Sequence, residues 1–168
     1  PRGCAVGPDG VVWIADDGAL RRVDEAAGEV LTVAGLAGQP GSADGEDARL
    51  GYLIHHLAVG ADGAVWIVDR TNDRLRRFDP ETGAITTVAG GGFGATPAGP
   101  APQLDGPGGV AWWGDDLLLA DTFAGRLWWV DPASGEVLLE ADGLPAPQGV
   151  TAAGDVAYLA GFDGAVYA

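Results

Sequence analysis

The feature of this sequence that most constrains its fold is a repeat that runs along the whole chain. Four segments share one pattern, an apolar stretch, a short polar turn and a second apolar stretch: "PRGCAV-GPDG-VVWIAD", "IHHLAV-GADG-AVWIVD", "PGGVAW-WGDD-LLLAD" and "PQGVTA-AGD-VAYLAG". An interval of 53 residues separates Gly3 from His56 and His56 from Gly109, and 40 residues separate Gly109 from Gly149. Self-similarity at such a period indicates a repeat architecture.

Each unit reads as four short strands. "PDG" and "ADG" have the composition of hairpin turns in which Gly takes the positive φ. "VVWIA" and "AVWIV" are apolar on both faces, as expected for a strand packed between two neighbours. "DPETG" and "DPASG" read as further turns, and strands such as "AITTVAG" then close the unit. With no helical periodicity, the pattern predicts an all-β fold, a β-propeller of four-stranded antiparallel blades.

The number of units raises the question of ring closure. We predict a single propeller region over residues 1–168, with units at approximately 1–35, 52–90, 104–143 and 144–168, or about 3.7 blades. Terminal units of an open ring would leave unpaired edges and apolar faces. The chain begins with Pro1 and contains no Met. We therefore expect a fragment of a longer protein; self-association to complete the ring and a strained four-bladed closure are the alternatives.

Composition limits the partners. The 168 residues include 9 basic and 24 acidic side chains, a net charge of −15. Such a chain repels phosphate backbones, so nucleic acid is not an expected partner. The single cysteine excludes an internal disulfide and a thiolate zinc cluster. No run of 18 apolar residues exists, so no membrane span is expected. Long Gly- and Pro-rich loops and the acidic charge favour a secreted or cell-envelope location, and a cytoplasmic one stays open.

Residues 54–90 and 104–132 carry a more specific pattern, "GVA…DG…WIADxxxxRLRRVDPxTGxxTTVAG", which resembles the NHL repeat. The loops "GQPGSADGEDARL" and "GGGFGATPAGPAPQL" are similar to the glycine-rich connectors of that family. The resemblance implies a six-bladed ring. It also implies functions from sensing and ligand binding to protein or RNA binding, with relatives among copper- and zinc-linked peptide amidating lyases and lactone-opening enzymes. His55-His56 and the shorter first turn, with Ala19 where Arg is usual, depart from the family pattern.

Differences between units at one repeated position give the candidate binding site. In a propeller the first strand of each blade lines the central channel. The residues that lead into these strands are Arg2, His55, Gly108 and Gln148, and His56 follows His55. We predict ligand binding at the channel mouth by Arg2, His55, His56 and Gln148. The histidines could also ligate a metal or act as acid and base. Adjacent strand residues point to opposite faces, which disfavours a shared ion, and polar filling is the plainer alternative.

Two further charged features have structural and functional interpretations. Asp69 and Arg74 recur as Asp121 and Arg126, which predicts a charge-assisted pair that holds the same turn in each blade. Three acidic side chains in one loop offer oxygen ligands of the kind calcium prefers, although a solvated surface loop explains them equally: Asp44, Glu46 and Asp47. We expect no cofactor, with calcium or another divalent metal as the alternative.

The aromatic residues are predicted mainly as core. Trp112-Trp113 and Trp128-Trp129 could stack on a ligand, but each adjacent pair would also cover both faces of a packed blade. One equivalent position of the second strands is predicted to be buried in every blade: Trp13, Trp66, Leu118 and Tyr158.

Catalytic motifs are missing from the sequence. There is no G-x-S-x-G, H-E-x-x-H or P-loop. Ser42, Thr71 and Thr122 are predicted to be exposed near turns, without a suitably spaced His. Cys4 could pair with His55 or His56 as a thiol–imidazole couple, although a buried cysteine is the commoner state. We predict a non-catalytic scaffold, with no catalytic residues, that binds a protein, peptide or small ligand through its loops and channel mouth. The alternative is a metal-assisted lyase or lactonase on the same propeller.

Overall fold

The structure, a computed structural model, describes residues 1–91 and 102–168. It contains three four-stranded antiparallel sheets and one three-stranded sheet, here called blades 1 to 4. Most of the second glycine-rich connector lies outside the described residues. The strands are β1 Gly3–Val6, β2 Val12–Asp16, β3 Ala19–Asp24 and β4 Glu29–Gly35 in blade 1; β5 Ile54–Val59, β6 Val65–Asp69, β7 Arg74–Phe78 and β8 Ile85–Gly90 in blade 2; β9 Pro107–Trp113, β10 Asp116–Asp121, β11 Arg126–Val130 and β12 Val137–Ala141 in blade 3; β13 Pro147–Ala153, β14 Val156–Gly161 and β15 Val166–Tyr167 in blade 4.

The strands of each blade pair in chain order through short turns. A short 3-10 helix, Arg70–Asn72, joins β6 to β7, and the described ranges contain no α-helix. The predicted all-β fold of antiparallel propeller blades is confirmed. None of the described segments is a helix long and apolar enough to cross a membrane.

The hydrophobic core lies in the seams between consecutive blades. Trp13 and Ile67 belong to the cluster between blades 1 and 2, whereas Trp66 and Val110 belong to the cluster between blades 2 and 3. Neighbouring side chains of β6 thus enter different seams, and all five of its residues are buried. This is why the second strands are apolar on both faces, and each fully buried large side chain stabilises the fold by roughly 1.5–3 kcal/mol.

The prediction of a shared core position holds in three blades and is wrong in the fourth. Trp13, Trp66 and Leu118 are buried, but Tyr158 is 39% exposed. Leu159 on the same strand packs into the seam with blade 3. Tyr158 points away from that seam, and no described blade covers its face of β14.

In blades 1 to 3 the second strand ends in an aspartate, which is held by the third strand. In blade 2, Asp69 Oδ2 accepts hydrogen bonds from Arg76 Nη1 at 3.2 Å and Asn72 Nδ2 at 2.8 Å, and Oδ1 accepts one from the Gly51 N–H at 3.1 Å. Asp69 and Arg76 are both fully buried. Burial raises the pKa of Asp69, while Asn72 and Arg76 oppose that shift.

Blades 1 and 3 repeat this arrangement with different donors. Asp121 accepts from Trp128 Nε1 at 3.1 Å in blade 3, and Asp16 pairs with Arg21 Nε at 3.2 Å in blade 1. Arg21, Arg76 and Trp128 occupy the same position of the third strand. We call this contact, between the aspartate that ends the second strand and the third residue of the third strand, the blade-lock. Its donor is a guanidinium in blades 1 and 2 and an indole in blade 3.

The predicted Asp69–Arg74 and Asp121–Arg126 pairs are wrong. Arg74 lies opposite Asp69 in the strand register, but its guanidinium donates to the Ser42 carbonyl. Arg126 pairs instead with Asp142 at 3.5 Å. The arginine two residues further along β7 reaches Asp69 diagonally on the same face of the sheet, a contact that long side chains make readily.

Candidate functional site

The predicted channel mouth contains a bulge that recurs in three blades. Between β5 and β6 the register passes from Ile54–Asp69 to His56–Val68, so His55 is the extra residue. Gly108 and Gln148 are the extra residues at the equivalent points of blades 3 and 4. A bulge redirects a side chain and bends the strand. The side chains of these residues therefore do not follow the alternation between the two faces that a regular strand shows.

The first strands of consecutive blades lie side by side and place these residues in one row. His55 Nδ1 lies 3.1 Å from the carbonyl oxygen of Gly108, at the equivalent position of the next blade. Gly108 in turn faces the backbone of Gln148 so closely that a Cβ atom would collide with the Gln148 carbonyl. In blade 1, exposed Arg2 leads into β1, and its N–H donates to the Ala15 carbonyl at 3.0 Å.

The two histidines differ in environment. Both are half-buried, but His55 has the Gly108 carbonyl as a partner, whereas buried Nδ1 of His56 has none within the described ranges. Burial lowers the pKa of His56, an effect that the Val110 backbone opposes and neighbouring His55 reinforces. His56 is thus favoured in its neutral form.

Sequence reasoning missed Arg70, which joins the same rim. Its Nη1 donates to the Pro107 carbonyl at 3.1 Å and lies 3.3 Å from Thr122 Oγ1. The guanidinium carbon also lies 4.8 Å from the ring centroid of exposed Phe123. The sequence could have pointed to Arg70, because the position after the blade-lock aspartate differs between the units. It is Asp17, Arg70 or Thr122 in blades 1 to 3.

Carboxylates surround Arg70. Burial lowers the pKa of Arg70, and Asp73, Asp105 and Asp121 act against that shift. Asp73 is buried, its Oδ1 accepts the Gly106 N–H at 2.7 Å, and burial raises its pKa. The rim therefore combines an anchored cation with partly desolvated acids and can present both signs of charge to a ligand.

The acidic loop predicted as a possible calcium site is only partly engaged within the fold. Asp44 binds Arg76 Nη2 at 2.6 Å and accepts from Thr87, so its carboxylate is already engaged, while Glu46 and Asp47 are exposed. Among residues 1–91 and 102–168 there is no group of three or more His, Cys, Asp or Glu side chains that could hold a metal ion.

The tryptophans and small nucleophiles are distributed over several environments. Trp112 packs against the seam between blades 2 and 3, and Trp113 against the seam between blades 3 and 4, as expected for a pair that covers both faces. Thr122 is buried rather than exposed, and its Oγ1 contacts Arg70. Cys4 is exposed, contrary to the expected burial, and makes no hydrogen bond to either histidine in the described part of the chain.

Comparisons with known proteins identify the class of fold. The chain is 30% identical to Protein SUPPRESSOR OF QUENCHING 1, chloroplastic, of Arabidopsis thaliana, in a match that covers 88% of this chain and 16% of that protein. No family model matches the chain. The chain spans about a sixth of the length of the Arabidopsis thaliana protein.

Solved structures give the same class at lower identity. A virginiamycin B lyase of Staphylococcus aureus, determined with quinupristin, superposes with a TM-score of 0.67 at 17% identity and covers 99% of this chain and 54% of the lyase. A gluconolactonase of Xanthomonas campestris superposes with a TM-score of 0.66 at 18% identity and covers 94% of this chain and 55% of that chain. At these identities the likeness shows the β-propeller fold, and this chain spans about half of each solved propeller.

Proposed function

We propose that the chain is an NHL-type propeller region, a single domain over residues 1–168, that belongs to a six-bladed ring. Its blades would correspond to the units predicted from sequence, with further blades from a longer chain or from a second copy completing the ring. The "DG…WI…D…R" pattern of the first two units and the blade-lock of blades 1 to 3 support this assignment.

The function we propose is non-catalytic binding of a protein, peptide or small ligand, outside the cytoplasm, by the channel mouth and its adjoining loops. Arg2, His55, His56 and Gln148 would contact the ligand. One observation carries the proposal: blades 2, 3 and 4 repeat a bulge at the mouth, but its extra residue differs and is His55, Gly108 or Gln148. A position with a constant backbone and variable side chains suits recognition. The net charge of −15 continues to disfavour nucleic acid.

A peptide selection tests the proposed binding. A random-peptide library would be selected against the 168-residue chain, and the selected peptides would be measured against an Arg2→Ala, His55→Ala, Gln148→Ala variant. We expect affinity to fall at least about tenfold, as for loss of several contacts at the centre of an interface.

The matched control is Arg22→Ala, which removes a half-buried arginine of β3. It should leave the selected peptides bound. Peptides that bind the triple variant as tightly as the unsubstituted chain would show that the recognition surface lies elsewhere.

A second candidate, a metal-assisted lyase or lactonase, is favoured by His56. Its buried Nδ1 lacks a partner in the described ranges and its pKa is lowered, and a neutral imidazole can accept a proton or a metal. Two structural neighbours are a lyase and a gluconolactonase. The described residues do not form a ligand set of three or more acidic, His or Cys side chains, so we assign no catalytic step to calcium or another ion.

Turnover assays separate this candidate from the binding proposal. The chain would be incubated with quinupristin and with a gluconolactone, and ring opening would be followed by mass spectrometry with and without added divalent metal. Turnover that His56→Ala abolishes would favour the enzyme. No turnover of either compound, combined with mouth-dependent peptide binding, would favour the binding module.

A further inference from the structure

A second concave site lies at the opposite end of the first strands. A cavity of about 590 Å³ opens there, where β1 and β5 finish and the following turns begin. Its volume falls within the range of about 300–1,000 Å³ that is usual for small-molecule sites. Equivalent positions of three blades form much of its wall: Val6, Val59 and Trp112. This cavity is remote from the channel mouth because β5 separates the two along its length.

Trp112 is the residue of this cavity wall that differs most from its equivalents in the other blades. The corresponding residues of blades 1 and 2 are Val6 and Val59, and each is followed by glycine. The Trp112 indole crosses the seam, and its Nε1 donates to the Val59 carbonyl at 2.8 Å. A Cβ atom at Gly60 would lie only 3.1 Å from the ring, so glycine makes room for it. With its N–H bonded inside the protein, Trp112 offers the cavity an aromatic surface.

The polar groups of the cavity are acidic. Asp62 and Asp115 line it, together with apolar residues and backbone, and its described lining includes no basic side chain. Asp62 is engaged, since it binds Arg77 at 3.0 Å and accepts the Ala64 N–H. Asp115 is exposed and makes no hydrogen bond or ion pair within the described ranges. An apolar cavity with an available carboxylate, on a chain of charge −15, complements a cation.

We propose that this cavity binds a small organic cation with an apolar or aromatic body. The apolar part would pack on Val6, Val59 and Pro132, and the cationic group would lie against Trp112 and near Asp115. An aromatic face attracts a cation, and quaternary ammonium groups are recognised in this way in other proteins. The site shares no residue with the proposed channel-mouth site, so neither proposal depends on the other.

Three ligands of similar size and different charge test the proposal. Benzyltrimethylammonium, 2-phenylethanol and phenylacetate would be titrated into the 168-residue chain by calorimetry, with NMR to locate the contacts. We expect the cation to bind about tenfold more tightly than the alcohol and the anion to bind most weakly. Asp115→Asn should reduce the affinity for the cation about three- to tenfold and leave the alcohol unchanged.

Two variants keep the test independent of folding. Val6 is 65% exposed, so Val6→Lys should fold normally, place a positive charge at the rim and abolish measurable cation binding. Asp155→Asn, at the equivalent turn of blade 4 and outside the cavity, is the matched control and should change nothing. The proposal is overturned if the cation does not bind at millimolar concentration, if all three ligands bind equally, or if Val6→Lys binds the cation normally.

Discussion

Two buried aspartates at equivalent positions have different surroundings. Asp69 has buried Arg76 as its partner, whereas the donors to Asp121 within residues 1–91 and 102–168 are both neutral, Trp128 Nε1 and the Asp105 N–H. Burial raises the pKa of Asp121 from 3.8 to about 6, and the nearby charge of Asp105 adds to that shift. The same structural position is thus stabilised by charge pairing in one blade and by neutral hydrogen bonds in the next.

Asp121 should make the stability of the fold depend on pH. Its pKa is higher in the folded than in the unfolded chain, so the folded state binds more protons between about pH 4 and pH 6. The contribution of this group is complete below pH 4 and is lost as pH rises through about 6, by up to roughly 3 kcal/mol. Urea unfolding at pH 4 and pH 7 should show this loss in the unsubstituted chain.

Asp121→Asn provides the comparison, because an amide does not titrate. The change in unfolding free energy between the two pH values should differ from that of the unsubstituted chain by the amount due to Asp121. Exposed Asp155→Asn is the control for other acidic groups and should retain the full pH dependence. An identical pH dependence in all three proteins would contradict the assignment.

Arg76 is expected to be the most costly arginine to replace. Its guanidinium is fully buried and binds both Asp69 and Asp44. Arg76→Met leaves Asp69 buried without its cation, and we expect a loss of about 3–5 kcal/mol in the free energy of unfolding. Arg77→Met removes the more exposed pairs with Asp62 and Asp79 and should cost less than about 1 kcal/mol. Equal losses in urea unfolding would contradict the blade-lock.

At the level of the strands, the end of the fourth strand depends on glycine. Gly35 ends β4 with φ 74°, and Gly90 ends β8 with φ 81°. Each packs against the start of the neighbouring third strand, at Gly18 and Ala19 in blade 1 and at Asp73 and Arg74 in blade 2. A side chain at either position would meet backbone atoms that cannot move without separating the strands.

Gly35→Ala should therefore destabilise the fold more than an alanine at a turn. Gly28 has a similar φ of 70° but open space around it, so Gly28→Ala carries only the left-handed backbone cost of about 1–2 kcal/mol. Gly35→Ala adds a backbone collision to that cost. Thermal and urea unfolding would compare the two variants, and equal stability would show that the strand end accommodates a methyl group.

At the level of the whole molecule, the described blades are joined in series, each to the next along the chain. Each hydrophobic cluster joins two consecutive blades, and blade 2 contributes to two of them. Blade 4 contributes to one cluster and exposes Val156, Tyr158 and Val166. In arrays of this kind, stability is approximately the sum of the units and the interfaces between neighbours.

Hydrogen exchange should follow this order. The amides of β6, where every residue is buried, should exchange most slowly, and those of β14 and β15 most rapidly. Exchange measured by mass spectrometry on the 168-residue chain would resolve the blades. Uniform protection across blades 2 and 4 would instead indicate a single cooperative unit.

The blade architecture and much of the core could be predicted from the sequence. The strands, their turns and the burial of Trp13 and Trp66 follow from local signals, because alternation, Gly and Pro act over a few residues. The row formed by His55, Gly108 and Gln148 also followed from aligning the units. That all three are bulged residues did not follow, because a one-residue bulge leaves the apolar pattern almost unchanged.

Which side chains contact each other could not be predicted from the sequence and is visible only in three dimensions. Asp69 pairs with Arg76 and not with Arg74. Arg70 donates a hydrogen bond to blade 3, and Trp112 donates one to blade 2. These contacts join residues that are distant in the chain or diagonal in a sheet, and several alternatives were compatible with the same spacing. The units share one sequence pattern, but three-dimensional packing decides which aspartate is paired with an arginine, which is buried with neutral donors and which stays exposed.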